Sequence, residues 1–148
     1  MSAPVMTKSA PGNVALNVTV AAGTIVTYNI YAGATGTNNV ALATDTVFES
    51  QLQVDVTTGA AVAATWGATV TCYRGGSNSG SGATPPVWDT QGGPATQVGG
   101  AGTGATTTHY RQSLYLPTAP GWQVVVKNTD ATNAMTLSLT LDQITSVV

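Results

Sequence analysis

Charge is almost missing from this chain. Of 148 residues only four are Lys or Arg and six are Asp or Glu, 7% in all, against about a quarter in an ordinary globular protein. Acid–base and nucleophilic catalysis draw on ionisable side chains, and one His (His109), one Cys (Cys72) and two Lys (Lys8, Lys127) leave little to build an active site from. A zinc centre needs several Cys or His ligands, so no ligand set for it exists. The basic residues Lys8, Arg74, Arg111 and Lys127 are scattered and the net charge is −2, which excludes a phosphate track for nucleic acid. No apolar run approaches the ~18 residues of a membrane helix. A lone Cys forms no internal disulfide. The N-terminal Met-Ser-Ala-Pro-Val-Met-Thr-Lys lacks the basic and apolar regions of a signal peptide, so synthesis in a cytoplasm is expected. Large apolar residues are also scarce: Phe48 is the single Phe. The core must therefore come from Val, Ile, scattered Leu, Trp66, Trp122 and Tyr. Small side chains bury less area each, and assembly with other chains would supply the rest.

Thr, Ala, Val and Gly fill the space, and their order is that of strands. Residues 14–20 alternate, with Val14, Leu16, Val18 and Val20 expected on one face. Residues 24–31 follow, with Val26, Tyr28 and Ile30 inward. Residues 40–44 and 47–56 come next; in the latter Phe48, Leu52, Val54 and Val56 share parity, while Gln51, Gln53 and Asp55 point away. Residues 60–64 are Ala-rich but too short and too poorly flanked for a helix. Residues 67–74 set Ala68, Val70 and Cys72 against Thr69, Thr71 and Tyr73. Strand chemistry resumes over 106–116 and 122–128, and Met135, Leu137, Leu139 and Leu141 alternate in the last strong segment. Residues 122–128 and 135–141, with a Thr-Asp-Ala-Thr-Asn turn between them, read as a hairpin.

Two stretches stand apart. Residues 1–13, with Pro4, Pro11 and Gly12, show no periodicity and are expected to form an extended N-terminal arm. Residues 75–105 are rich in Gly, Ser and Pro and read as a long loop, a length that in a compact domain is functional or disordered. The prediction is an all-β fold: one β-sandwich domain over 14–148, of jelly-roll type, with the arm in front and the loop 75–105 within it.

The candidate chemistry is thin. His109 is expected at an exposed or edge-strand position with no base or acid beside it in sequence, and Cys72 as a buried, inert thiol. Asp45, Glu49 and Asp55 are the one local carboxylate group, and solvation explains Glu49 and Asp55. Asn128, Asp130 and Asn133 crowd one turn; oxygen-rich loops hold Ca²⁺, but turns select the same residues. Gly100 to Gly104 superficially matches a phosphate loop but lacks the following Lys-Ser/Thr. No cofactor and no metal is expected. Trp88, in Pro-Pro-Val-Trp-Asp, has two readings: an exposed plug or sugar platform, or a ring folded back on its own sandwich. Pro4, Val5 and Pro11 on the arm, with Trp88 and Tyr110 in and after the loop, are the candidates for docking a partner.

Residues 64–76 (Ala-Thr-Trp-Gly-Ala-Thr-Val-Thr-Cys-Tyr-Arg-Gly-Gly) and the stretch from Leu116 through Gly121 to the Val-Val-Val-Lys-Asn-Thr-Asp-Ala-Thr-Asn-Ala segment resemble small structural proteins of tailed bacteriophages. The two stretches cover about a quarter of the chain. The resemblance implies a non-enzymatic virion component, foremost a capsid decoration (cement) protein binding the major capsid protein or another virion protein. It also implies a homo-oligomer, trimer or dimer, made in the bacterial cytoplasm and located in the virion, with no nucleic-acid or membrane partner. The alternative is a carbohydrate-binding or accessory module of a phage tail, neck or fibre, using Trp88 and nearby Tyr.

Overall fold

The computed structural model describes residues 6–9, 11–42, 47, 49–58, 67–76, 82–99 and 108–147. Phe48, Trp66, Asp45, the Ala-rich 60–64, the Gly100 to Gly104 run, Pro4 and Val5 lie outside them. Among the described residues there are ten strands: β1 (Met6–Lys8), β2 (Gly12–Val20), β3 (Ile25–Tyr31), β4 (Asn39–Ala41), β5 (Glu49–Thr58), β6 (Ala68–Arg74), β7 (Thr96–Val98), β8 (Thr108–Pro117), β9 (Gly121–Asn128) and β10 (Met135–Val147).

They form two sheets. In the first, β10 lies between β5 and an edge shared end to end by β1 and β2, and β8 closes the far side of β5. The second runs β4-β3-β9-β6-β7. Setting aside the three-residue β1 and β4, the eight remaining strands stand in the order first, eighth, third, sixth in one sheet and second, seventh, fourth, fifth in the other. That is the double Greek key of a jelly roll, the fold that the alternating segments predict.

Alternation explains the core. Leu52, Val54 and Val56 of β5 are fully buried beside Leu137, Leu139 and Leu141 of β10. They face Ile30, Val124 and Val126 of the second sheet in one cluster with Val70, Trp122 and Met135. Each fully buried aliphatic side chain contributes about 1.5–3 kcal/mol, so small side chains build this core by number.

The structure corrects two expectations and adds detail to two others. The strands over 122–128 and 135–141 do not form a hairpin: β9 pairs with β3 and β6, β10 with β2 and β5, and the turn between them carries the chain from one sheet to the other. The strict alternation in β2 breaks. Asn17 takes φ +52°, the pairing to β10 shifts register there, and Leu16 turns outward, 53% exposed, while Ala15 is buried. Residues 6–8, part of the stretch expected as an extended arm, are extended and hydrogen-bonded to β10 as β1. The stretch 75–105 is not structureless throughout: β7 pairs with β6, Gly75 bridges Trp88, and the Asp89 and Gly93 amides donate to the Arg74 and Cys72 carbonyls, so the chain doubles back along β6.

Candidate functional site

Three places concentrate polar or open structure. The first is the outer face of the first sheet. Register sets Asp55 of β5 opposite Arg111 of β8 and Thr57 opposite His109. Asp55 accepts from His109 Nε2 through Oδ1, and through Oδ2 from Arg111 Nε at 3.2 Å and Nη2 at 2.8 Å. Beside this cluster lies an open hollow of about 540 Å³ bordered by Pro11, Leu16, Gln53, Ser138, Thr140 and Asp142. The carboxylate that the sequence left His109 without is 54 residues away; only strand register brings it near. Asp55 is thereby paired with the Arg111 guanidinium and hydrogen-bonded to the His109 ring, an arrangement that clasps β5 to β8 across the strands.

The second is the β9–β10 turn. Asn128 is fully buried, and its Nδ2 lies 3.1, 3.2 and 3.0 Å from the carbonyls of Val20, Ala21 and Asn133. Its Oδ1 accepts the Asp130 amide. Buried Asp130 in turn accepts from the Thr132 amide and hydroxyl and the Asn133 amide through Oδ1, and from Asn133 Nδ2 through Oδ2. The oxygens that suggested a calcium loop are aimed at N–H and O–H donors of their own turn. Among the described residues no group of three His, Cys, Asp or Glu gathers around one point.

The third is a gap of about 330 Å³ between the sheets, on the side where β6 and β7 face β8. Val70, Cys72, Leu114, Leu116 and Trp122 wall it, and Arg74, Asp89 and Gln91 stand at its mouth. Arg74 donates to the Thr118 carbonyl. Burial pushes the Cys72 thiol up to about 12, so it is a protonated apolar wall group at neutral pH and a poor nucleophile.

The docking candidates do not converge. Pro11 is exposed beside the outer-face hollow. Tyr110 sits on β8 opposite buried Val56, yet is 40% exposed. Trp88 is half-buried at the other end of the molecule, with its ring against Gly75, where a Cβ would come within 3.2 Å of it. Its ring lies over its own sandwich, and a fully open sugar platform is not what the structure presents. Leu16, Val87 and Tyr115 are exposed: Leu16, expected on the face of Val14, is turned out by a bulge that no pattern announces, and Tyr115 alternates with Leu114 and Leu116 as any edge residue does.

No protein-family model matches the chain, and no curated protein does. Among solved structures it is similar to a chain of infectious bursal disease virus, Gt strain, at 10% identity and TM-score 0.49, covering 96% of this chain and 32% of that one. The Gx strain gives 12%, 0.49, 97% and 33%. A point mutant of the VP2 protein of that virus, in T=1 particles, gives 11%, 0.43, 95% and 31%. The chain thus spans about a third of the length of the solved chains it matches.

Proposed function

We propose that the chain is a non-enzymatic structural subunit of a virus particle, and within that class a decoration or cement subunit seated on the capsid of a tailed bacteriophage. The observation that carries the reading is the exterior of the jelly roll. The outward side chains of the first sheet are predominantly uncharged, with Thr57, Gln53, Gln51, Ser113, Thr136, Ser138 and Thr140 set among the carboxylates Glu49, Asp55 and Asp142, of which Asp55 is paired with Arg111. Such a face packs against a neighbour with little cost in desolvated charge, and viral shell domains are among the recurrent hosts of this fold. Fold alone assigns no function.

On this reading the partner is the major capsid protein or another virion protein, and the docking positions are Pro4, Val5 and Pro11 of the arm with Trp88 and Tyr110. The test is quantitative mass spectrometry of washed particles from cells that carry this gene. The expected result is a fixed copy number per shell subunit, in the tens or hundreds per particle. Its absence from washed particles overturns the reading.

A further inference from the structure

A sheet edge is a row of unpaired amides and carbonyls, and proteins protect it with short strands, bulges, proline or lysine. Three of the four edges here are protected. The β1/β2 edge is interrupted around Pro11 and bulged at Asn17, and β4 and β7 are three residues each. The fourth is different. β8 runs ten residues, pairs with β5 from Thr108 to Pro117 without a register shift, and carries no Lys and no Pro before its last residue. Among the described residues no strand pairs with its other edge. The open gap between the sheets lies directly beneath that edge, walled by Leu114 and Leu116.

We infer that β8 is the site at which a second copy of this chain adds, β8 against β8 in antiparallel order about a two-fold axis through Ser113, so that the first sheets of two copies become one. The sequence of β8 is self-complementary in that register. Residues directly opposite share a face, so Tyr110, inward by parity but 40% exposed, lies opposite the partner copy's equivalent of buried Leu116, at the wall of the open gap. On the outer face Tyr115, 61% exposed, meets the equivalent of Arg111, an aromatic ring beside a guanidinium already held flat by Asp55. Ser113 meets itself. Along the strand the two Arg111 residues stand four positions apart, about 13 Å, beyond a Debye length at physiological salt, so like charges do not oppose the pairing. Strand addition supplies backbone hydrogen bonds, and the gap receives alternate side chains.

This inference stands apart from the virion reading. Sedimentation equilibrium of the full chain over a wide concentration range should show a dimer. Tyr115→Lys, which faces Arg111 with a like charge, should weaken it roughly tenfold or more, whereas Tyr115→Glu should keep or tighten it. Position 115 is exposed, so both variants should fold, with unchanged circular dichroism. Ser113→Cys should cross-link into a dimer under mild oxidation, since directly opposed Cα atoms are about 4.5–5.5 Å apart, while Leu16→Cys on the opposite edge should not. A monomer at all concentrations, an equal effect of Lys and Glu at position 115, or no cross-link at position 113 overturns the pairing. A monomer that is nonetheless present in washed particles overturns this inference alone.

Discussion

Asn128 reaches across the sandwich from the end of β9 to the Val20 carbonyl at 3.1 Å, joining the last residue of a strand in one sheet to the last residue of a strand in the other. Both chains leave their ladders there, and the Asn128 amide takes up acceptors that departure leaves bare. The same turn is fastened on its backbone side, since the Gly23 amide donates to the Asp130 carbonyl and the Asn128 amide to Thr24. A buried polar group so placed is expensive to disturb, because the buried Val20 carbonyl beside it has no water to turn to.

Asn128→Leu should therefore lower the unfolding free energy by about 2–4 kcal/mol in urea titration, although Leu nearly preserves the volume. Asn128→Asp should cost still more at neutral pH, since it sets a carboxylate against three carbonyl oxygens at a fully buried position. If the Asp variant proves as stable as the native chain, the amide is not the clasp described.

Cys72 carries a prediction in pH. Its thiol is raised from 9.0 to about 12 by burial. A raised folded value means that the folded state holds the proton more tightly than the unfolded chain. The resulting stability is fully present below about pH 9 and is lost as pH rises towards 12. Thermal midpoints should fall between pH 9 and 11, and Cys72→Ala should flatten part of that fall, with the rest due to buried Tyr28, whose phenol is also raised by burial. A neutral thiol-alkylating reagent should react with the native chain far more slowly than with the urea-unfolded chain; equal rates would contradict a buried thiol.

Period two shows which side chains share a face, and it reads correctly in β5, β6 and β10, where Leu52, Val70 and Leu137 are buried. It carries no information about which strand lies alongside. For that reason β9 and β10 looked like a hairpin, when the residues that direct the crossing, Asn128 and Asp130, are also ordinary turn formers. The Asp55–His109 pair is invisible for the same reason, since both residues occupy plain outward positions. Leu16 was misplaced because one residue, Asn17, takes a left-handed backbone conformation and resets the alternation behind it. β7 is three residues inside a Gly/Pro-rich stretch, below the length at which alternation is a signal.

Gly67 is expected to be intolerant. Its φ is +118°, and a Cβ there would sit 2.5 Å from the Val98 carbonyl oxygen, where β7 ends opposite Ala68. Gly67→Ala combines backbone strain with a clash against an immobile main chain and should cost about 2 kcal/mol or more. Gly23 is the control: its φ is +64° with open space around the missing Cβ, so Gly23→Ala should cost only about 1 kcal/mol. Similar losses at the two positions, measured by thermal unfolding, would contradict the close approach at Val98.

The outer-face clasp is expected to matter little for stability and not at all for chemistry. His109 and Arg111 are more than half exposed, their side chains 57% and 67% accessible, and Asp55 is 21% accessible. In that setting water and salt screen the attraction, and an exposed pair contributes about 0.2–1 kcal/mol. Asp55→Asn and His109→Ala should each lower stability by no more than about 1 kcal/mol, and the effect should shrink further in high salt. A double-mutant cycle between positions 55 and 109 isolates the coupling from the cost of each substitution. If His109→Ala leaves the fold intact but abolishes incorporation into particles, the clasp belongs to a docking surface. If it abolishes a measurable turnover, the structural reading of the whole face is wrong.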